Sequence, residues 1–154
     1  MKIRDVQPDD AQALYTLFYE SVHQVASRDY NFEQRKAWAP IDYDQQAWVE
    51  RLAKNKPYVV EQQGQPVAFA DLQANGYIDQ FFVSAHMPRQ GIGTYLMQHL
   101  LQQAKLHHMP LLFSNVSISA QPFFQHFDFV IVQQQMPVVR GVALSNALMH
   151  KVLL

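Results

Sequence analysis

The sequence contains no cysteine, and that absence removes disulfides, thiolate-bound zinc, iron–sulfur clusters and any cysteine nucleophile. Charge of one dominant sign is missing too: twelve Lys and Arg stand against thirteen Asp and Glu, without the basic excess that a phosphate backbone requires. Nucleic acid is not an expected partner. No apolar run approaches the roughly 18 residues of a membrane span, and MKIRDVQPDD turns acidic at Asp5 where a signal peptide would turn apolar. A membrane is not expected either, and the default location is cytoplasmic. There is no Gly-x-Ser-x-Gly elbow and no His-Glu-x-x-His pair, so neither a serine hydrolase nor a metal site is expected.

What is present suits one globular unit over residues 1–154, with 49% apolar and 16% charged residues. Twenty glutamines are scattered with no tract longer than Gln133-Gln134-Gln135 and read as polar surface. Residues 2–6 read as a strand. Ala11, Leu14, Leu17, Phe18, Val22 and Val25 recur at helical spacing and predict one helix over about 9–27, followed by helical pieces at 32–39 and 44–54. From Tyr58 the pattern becomes β-rich. YVVEQ, QPVAFADLQ and YIDQFFV, separated by Gly64 and by Asn75-Gly76, predict an antiparallel meander. A helix from Tyr95 to Met109 then leads into LLFSNV, a buried strand expected to run parallel to 77–83. A short helix near 119–126 and two strands, about 130–138 and 142–152, close an α/β order without internal repeat.

Between the third β run and the long helix lies Met87-Pro88-Arg89-Gln90-Gly91-Ile92-Gly93-Thr94. Free backbone N–H groups and the helix dipole favour an anion at such a place, and Gly91 and Gly93 let the backbone come close to it. A dinucleotide fingerprint would need glycine where Leu96 stands, and a Walker loop would need Lys followed by Ser or Thr. A nicotinamide oxidoreductase therefore has only two glycines in its favour.

The register of Tyr77-Ile78-Asp79-Gln80-Phe81-Phe82-Val83, six residues, and Gln90-Gly91-Ile92-Gly93-Thr94 before a long helix resembles the GNAT N-acetyltransferase superfamily. Ala120-Gln121-Pro122-Phe123-Phe124-Gln125-His126-Phe127-Asp128-Phe129 is similar to that family's later helix motif. The resemblance implies a mixed, mostly antiparallel sheet flanked by helices, with a central parallel strand pair, 77–83 and 111–116, splaying around acetyl-CoA. It implies direct transfer of the acetyl group to an amine, small-molecule or peptide, and leaves a homodimer open as the assembly. Backbone groups of Phe81, Phe82 and Val83 would then line the acetyl-pantetheine arm, and Arg89, Gln90, Gly91, Ile92, Gly93 and Thr94 would hold the pyrophosphate. A backbone donor near Val83 would face the developing oxyanion.

Two departures bear on activity. Pro88 stands where the loop usually begins with Gln or Arg, and Phe124 stands where many members carry the tyrosine that protonates the leaving thiolate. They keep open an alternative, an acyl-CoA-binding module of the same fold that has lost catalysis. Tyr77 aligns with a position where several members place a catalytic glutamate, and Asp79 follows two residues later. Strand alternation would aim both at one cleft, so both are candidates for the base, with water as another route and plain strand packing as the alternative. For the acceptor, Tyr30, Gln34 and Trp38 offer an aromatic wall and an amide, with His23 at the floor, or else they cement the helical cap onto the sheet.

Overall fold

A computed structural model gives the fold of residues 1–87 and 90–154. In chain order it contains β1 (Lys2–Asp5), α1 (Ala11–Glu20), α2 (Phe32–Trp38), α3 (Gln45–Asn55), β2 (Tyr58–Gln62), β3 (Gln65–Ala70) and β4 (Phe81–Val83). There follow α4 (Ile92–Leu106), β5 (Leu111–Ser117), α5 (Gln121–His126), β6 (Val130–Gln135), β7 (Val138–Val139), β8 (Val142–Ala143) and β9 (Asn146–Val152). The β1-β2-β3-β4 sheet is antiparallel throughout, and β5-β9-β6 forms a second antiparallel sheet. Gln63 and Gly64 both take positive φ, which gives the two-residue turn that suits the twist of β2 and β3.

Side-chain alternation lets the first sheet serve two cores. Val59 faces Phe69 and joins Leu14, Phe18, Trp48 and Leu52 from α1 and α3. Val60 faces Ala68 and joins Leu96, Met97 and Leu100 from α4 on the other side. The helices are capped as their sequences suggest, with the Asn31 side chain accepting from the Gln34 N–H and Asp44 from the Ala47 N–H.

Among the described residues the backbones of the two sheets pair at one place. Tyr77 and Phe113 form a parallel bridge; the Ile78 N–H donates to the Phe113 carbonyl at 2.9 Å, and the Phe113 N–H to the Gly76 carbonyl at 3.0 Å. Beyond this bridge β4 and β5 share no ladder among the described residues.

Four expectations change. The run 77–83 is not one strand: only Phe81–Val83 pairs with β3, because the buried Asp71 carboxylate takes the Asp79 and Gln80 N–H groups in place of a ladder. The long helix starts at Ile92, not Tyr95, because Gly91 adopts a left-handed φ of 74° and caps it. The predicted helix over 9–27 is regular only from Ala11 to Glu20; Ser21–Val25 widens into a π turn and Ala26–Arg28 tightens into a 3₁₀ turn. The two C-terminal strands break into four, since Arg140-Gly141 turns with positive φ between β7 and β8.

Gly76 sits where the sheets touch. A Cβ there would lie 2.0 Å from the Leu111 carbonyl oxygen, whereas one at Gly64, also at positive φ, would meet nothing within 4 Å. Gly76→Ala should therefore cost about 1–3 kcal/mol more than Gly64→Ala, read as the difference between their thermal midpoints.

Candidate active site

The gap between the sheets holds two cavities with wall residues in common. The larger, about 430 Å³, is bounded by β4, the start of α4, the π turn and α5. As the edge strand of its sheet, β4 aims one row of backbone N–H and C=O groups at this space. From the next wall come Gln90, Gly91, Ile92, Gly93 and Thr94. The N–H groups of Ile92, Gly93 and Thr94 open the helix and have no intrahelical acceptor, as at any helix start. Gly93 sits close to the facing wall: a Cβ would stand 3.2 Å and 3.3 Å from ring atoms of Phe123, which would have to give slightly, and 3.5 Å from Val83 Cγ2. Apolar contacts from Val22, Met87 and Phe123 complete a groove that also takes in the helix N-terminus.

The smaller cavity, about 160 Å³, lies across Phe81, Phe82 and Phe124, which line both. Its walls include Phe18, Tyr30, Trp38, Val139 and Leu144. Among the described residues the charged side chains lining it are Asp79 and Arg51. Asp79 Oδ2 accepts from Arg51 Nε at 2.8 Å and from Asn55 Nδ2 at 2.7 Å. Burial works to raise the Asp79 pKa, but these two donors and the Arg51 charge hold it below the ordinary value. Asp79 is thus an anion at neutral pH.

The sequence candidates separate in space. Phe81, Phe82, Val83, Gln90, Gly91, Ile92, Gly93 and Thr94 all line the larger cavity, while Arg89 lies outside the described residues, as does Pro88. Asp79 faces the smaller cavity and Tyr77 lines neither. The Tyr77 ring packs on Phe113, its hydroxyl accepts from Asn115 Nδ2 at 3.2 Å, and burial, then the Asp79 charge, raises its pKa. Tyr30 and Trp38 form the aromatic wall, their rings 5.3 Å apart. The Tyr30 hydroxyl also donates to the Ser145 carbonyl and accepts from the Ile118 N–H, tying the helical cap to the second sheet. His23 and Gln34 line neither cavity. His23 Nε2 lies 2.8 Å from the Ala39 carbonyl oxygen, and Gln34 is occupied by the α2 cap and the Ala143 carbonyl.

Sequence reasoning missed Arg51, Asn55 and Asp71. Arg51 and Asn55 share one face of α3 at i,i+4 spacing, but nothing local says that this face meets Asp79. Among the described residues no group of three or more His, Cys, Asp or Glu is placed to hold a metal ion, and no helix is long and apolar enough to cross a membrane.

Residues 26–152 match the family model for the acetyltransferase (GNAT) domain. The chain is 35% identical over 150 residues to a protein of Escherichia coli K12 named uncharacterized N-acetyltransferase YafP, covering 97% of this chain and 95% of that one. A crystal structure from Rhodopseudomonas palustris, described as a GCN5-related N-acetyltransferase and as a class-II aminotransferase, superposes with a TM-score of 0.94. It is 30% identical, over 99% of this chain and 95% of that one. YncA of Salmonella typhimurium, solved with its cofactor acetyl-CoA, shares the fold at a TM-score of 0.68 and 16% identity, over 99% and 93% of the two chains.

The depressed Asp79 pKa sets the sign of a pH effect. A carboxylate whose pKa falls on folding stabilises the fold above its unfolded value, near 3.8, and loses that contribution as pH falls through the folded value. The wild-type protein should melt a few degrees above Asp79→Asn from pH 5 to 7, and the gap should close below about pH 3.8 in thermal melts.

Proposed function

The chain belongs to the GNAT acetyltransferase family, and from that premise we propose that it transfers the acetyl group of acetyl-CoA directly to the nitrogen of an amine. What supports this reading most is one groove faced by both the open edge of β4 and the free first turn of α4, with a second cavity on the other side of Phe81 and Phe82, which line both. Backbone groups of Phe81, Phe82 and Val83 pair with the pantetheine arm as an added strand would. Gln90 to Thr94 present N–H groups to the pyrophosphate. A donor near Val83 faces the negative charge that develops on the thioester oxygen.

On the acceptor side, Asp79 receives the ammonium as an ion-pair partner and relays its proton, directly or through water, to solvent, because its lowered pKa does not let it keep the proton. Tyr77 stands beside it as the second candidate and supports the opening through Phe113. Tyr30 and Trp38 wall the amine in, and His23 and Gln34 hold that wall from behind through Ala39 and Ala143. Phe124 is buried between the cavities and has no proton to give, so water protonates the leaving thiolate. Residues 1–154 act as one domain in this reading, with a cytoplasmic supply of acetyl-CoA.

Thiol release from acetyl-CoA across an amine panel, beside calorimetry with acetyl-CoA, tests the proposal. Turnover is expected; binding without turnover of any amine would favour a non-catalytic acyl-CoA module. Gly93→Leu should weaken acetyl-CoA at least about tenfold, since a side chain there displaces Phe123 from the groove. Asp79→Asn should lower turnover by about 10²–10⁴ with little change in acetyl-CoA affinity, and Tyr77→Phe by less.

A further inference from the structure

Asp79 and Arg51 are a pair with one unused group each. Asp79 Oδ2 is taken by Arg51 Nε and Asn55 Nδ2, while Oδ1 accepts no hydrogen bond among the described residues. Arg51 spends only Nε on Asp79; its two terminal nitrogens bond to nothing else among the described residues, and its side chain is 44% exposed at the cavity mouth. The remaining polar residues of the wall, among them Ser114, Asn115 and Asn146, carry no charge. Among the described residues the cavity therefore offers one anionic oxygen and one cationic fork, carried by two groups already joined through the 2.8 Å Nε–Oδ2 bond.

A ligand bearing only an ammonium would meet Asp79 with much of its charge already offset by Arg51. A zwitterion complements both. The fork suits a carboxylate in two-point contact, and its closeness to Asp79 requires that the ligand's two charges be close together, as on one α-carbon. At about 160 Å³ the space falls below the roughly 300 Å³ at which drug-sized ligand sites begin, and Trp38, Phe82, Val139 and Leu144 supply the apolar part of a wall that is otherwise polar. From these features, and resting on the acetyl-transfer reading above, we infer that the acceptor is a free α-amino acid with a small apolar side chain. Its ammonium docks on Asp79 Oδ1 and its carboxylate on the Arg51 terminal nitrogens. In the transfer the nitrogen bonds to the acetyl carbon as the carbon–sulfur bond breaks. The ammonium gives up two protons in all, one ending on the thiolate and one in solvent, so the products are the N-acetyl amino acid, free CoA and one proton.

Glycine, alanine, valine and leucine, each assayed by thiol release against its own amide and its own decarboxylated amine, supply the test. At least one amino acid should exceed both analogues at least tenfold in kcat/KM, and Arg51→Gln should collapse that ratio toward one, with acetyl-CoA affinity by calorimetry as the check on folding. Equal or better turnover of the decarboxylated amines, or a ratio indifferent to Arg51→Gln, overturns the amino-acid acceptor and leaves acetyl transfer standing. Inert amino acids with intact acetyl-CoA binding overturn it as well. If acetyl-CoA gives no heat and no amine is turned over, the acetyl-transfer reading falls, and this inference with it.

Discussion

One buried carboxylate holds the sheet open. Asp71 is fully buried, and it accepts the Gln80 N–H at 2.7 Å, the Asp79 N–H at 3.1 Å and Gln73 Nε2 at 3.1 Å. Burial pushes its pKa up and these three donors work the other way. Hydrogen bonds to a charged group are worth about 1.5–3 kcal/mol each, and leaving such a group unpaired in the interior costs more than a neutral one. By taking two backbone donors that a continuous strand would have spent on a ladder, Asp71 delays β4 until Phe81. Asp79 is left at the edge of the opening with its carboxylate toward α3.

The opening has a hinge at one end and a wall at the other. The Tyr77–Phe113 bridge and the Ser114 hydroxyl, which donates to the Ile78 carbonyl at 2.7 Å, pin the sheets together. Only Gly76 allows that approach. Past the pin the sheets part, and aromatic rings fill the space: Phe81 lies against Phe123 and Phe124, while Phe82 lies against Phe18 and Phe69. Large rigid rings keep the two cavities distinct yet in contact at little entropic cost.

Much of the larger cavity was legible because its signals are local. Gly91 and Gly93, a strand before them and an amphipathic helix after them stand within one stretch of chain, and they line that cavity together. Even there the helix start was misplaced by three residues, since the left-handed cap at Gly91 is a property of φ that composition only suggests. The smaller cavity was less legible. Tyr30 and Trp38 were readable as an aromatic pair, but Gln34 fits a capping box equally well, and the cap is where it went.

By itself the sequence determined the order of elements, the faces they bury and the place of the glycine loop, because hydrophobic period and turn chemistry act over a few residues. The exclusions that follow from lacking cysteine and a basic excess were fixed in the same way. Tertiary structure decided which charges meet. Arg51 and Asn55 reach Asp79 across 28 and 24 residues, and Asp71 interrupts a strand that alternation alone would have continued. Such contacts depend on how α3 packs against the first sheet and on a buried ionic group finding donors, and neither is encoded in any local run of residues.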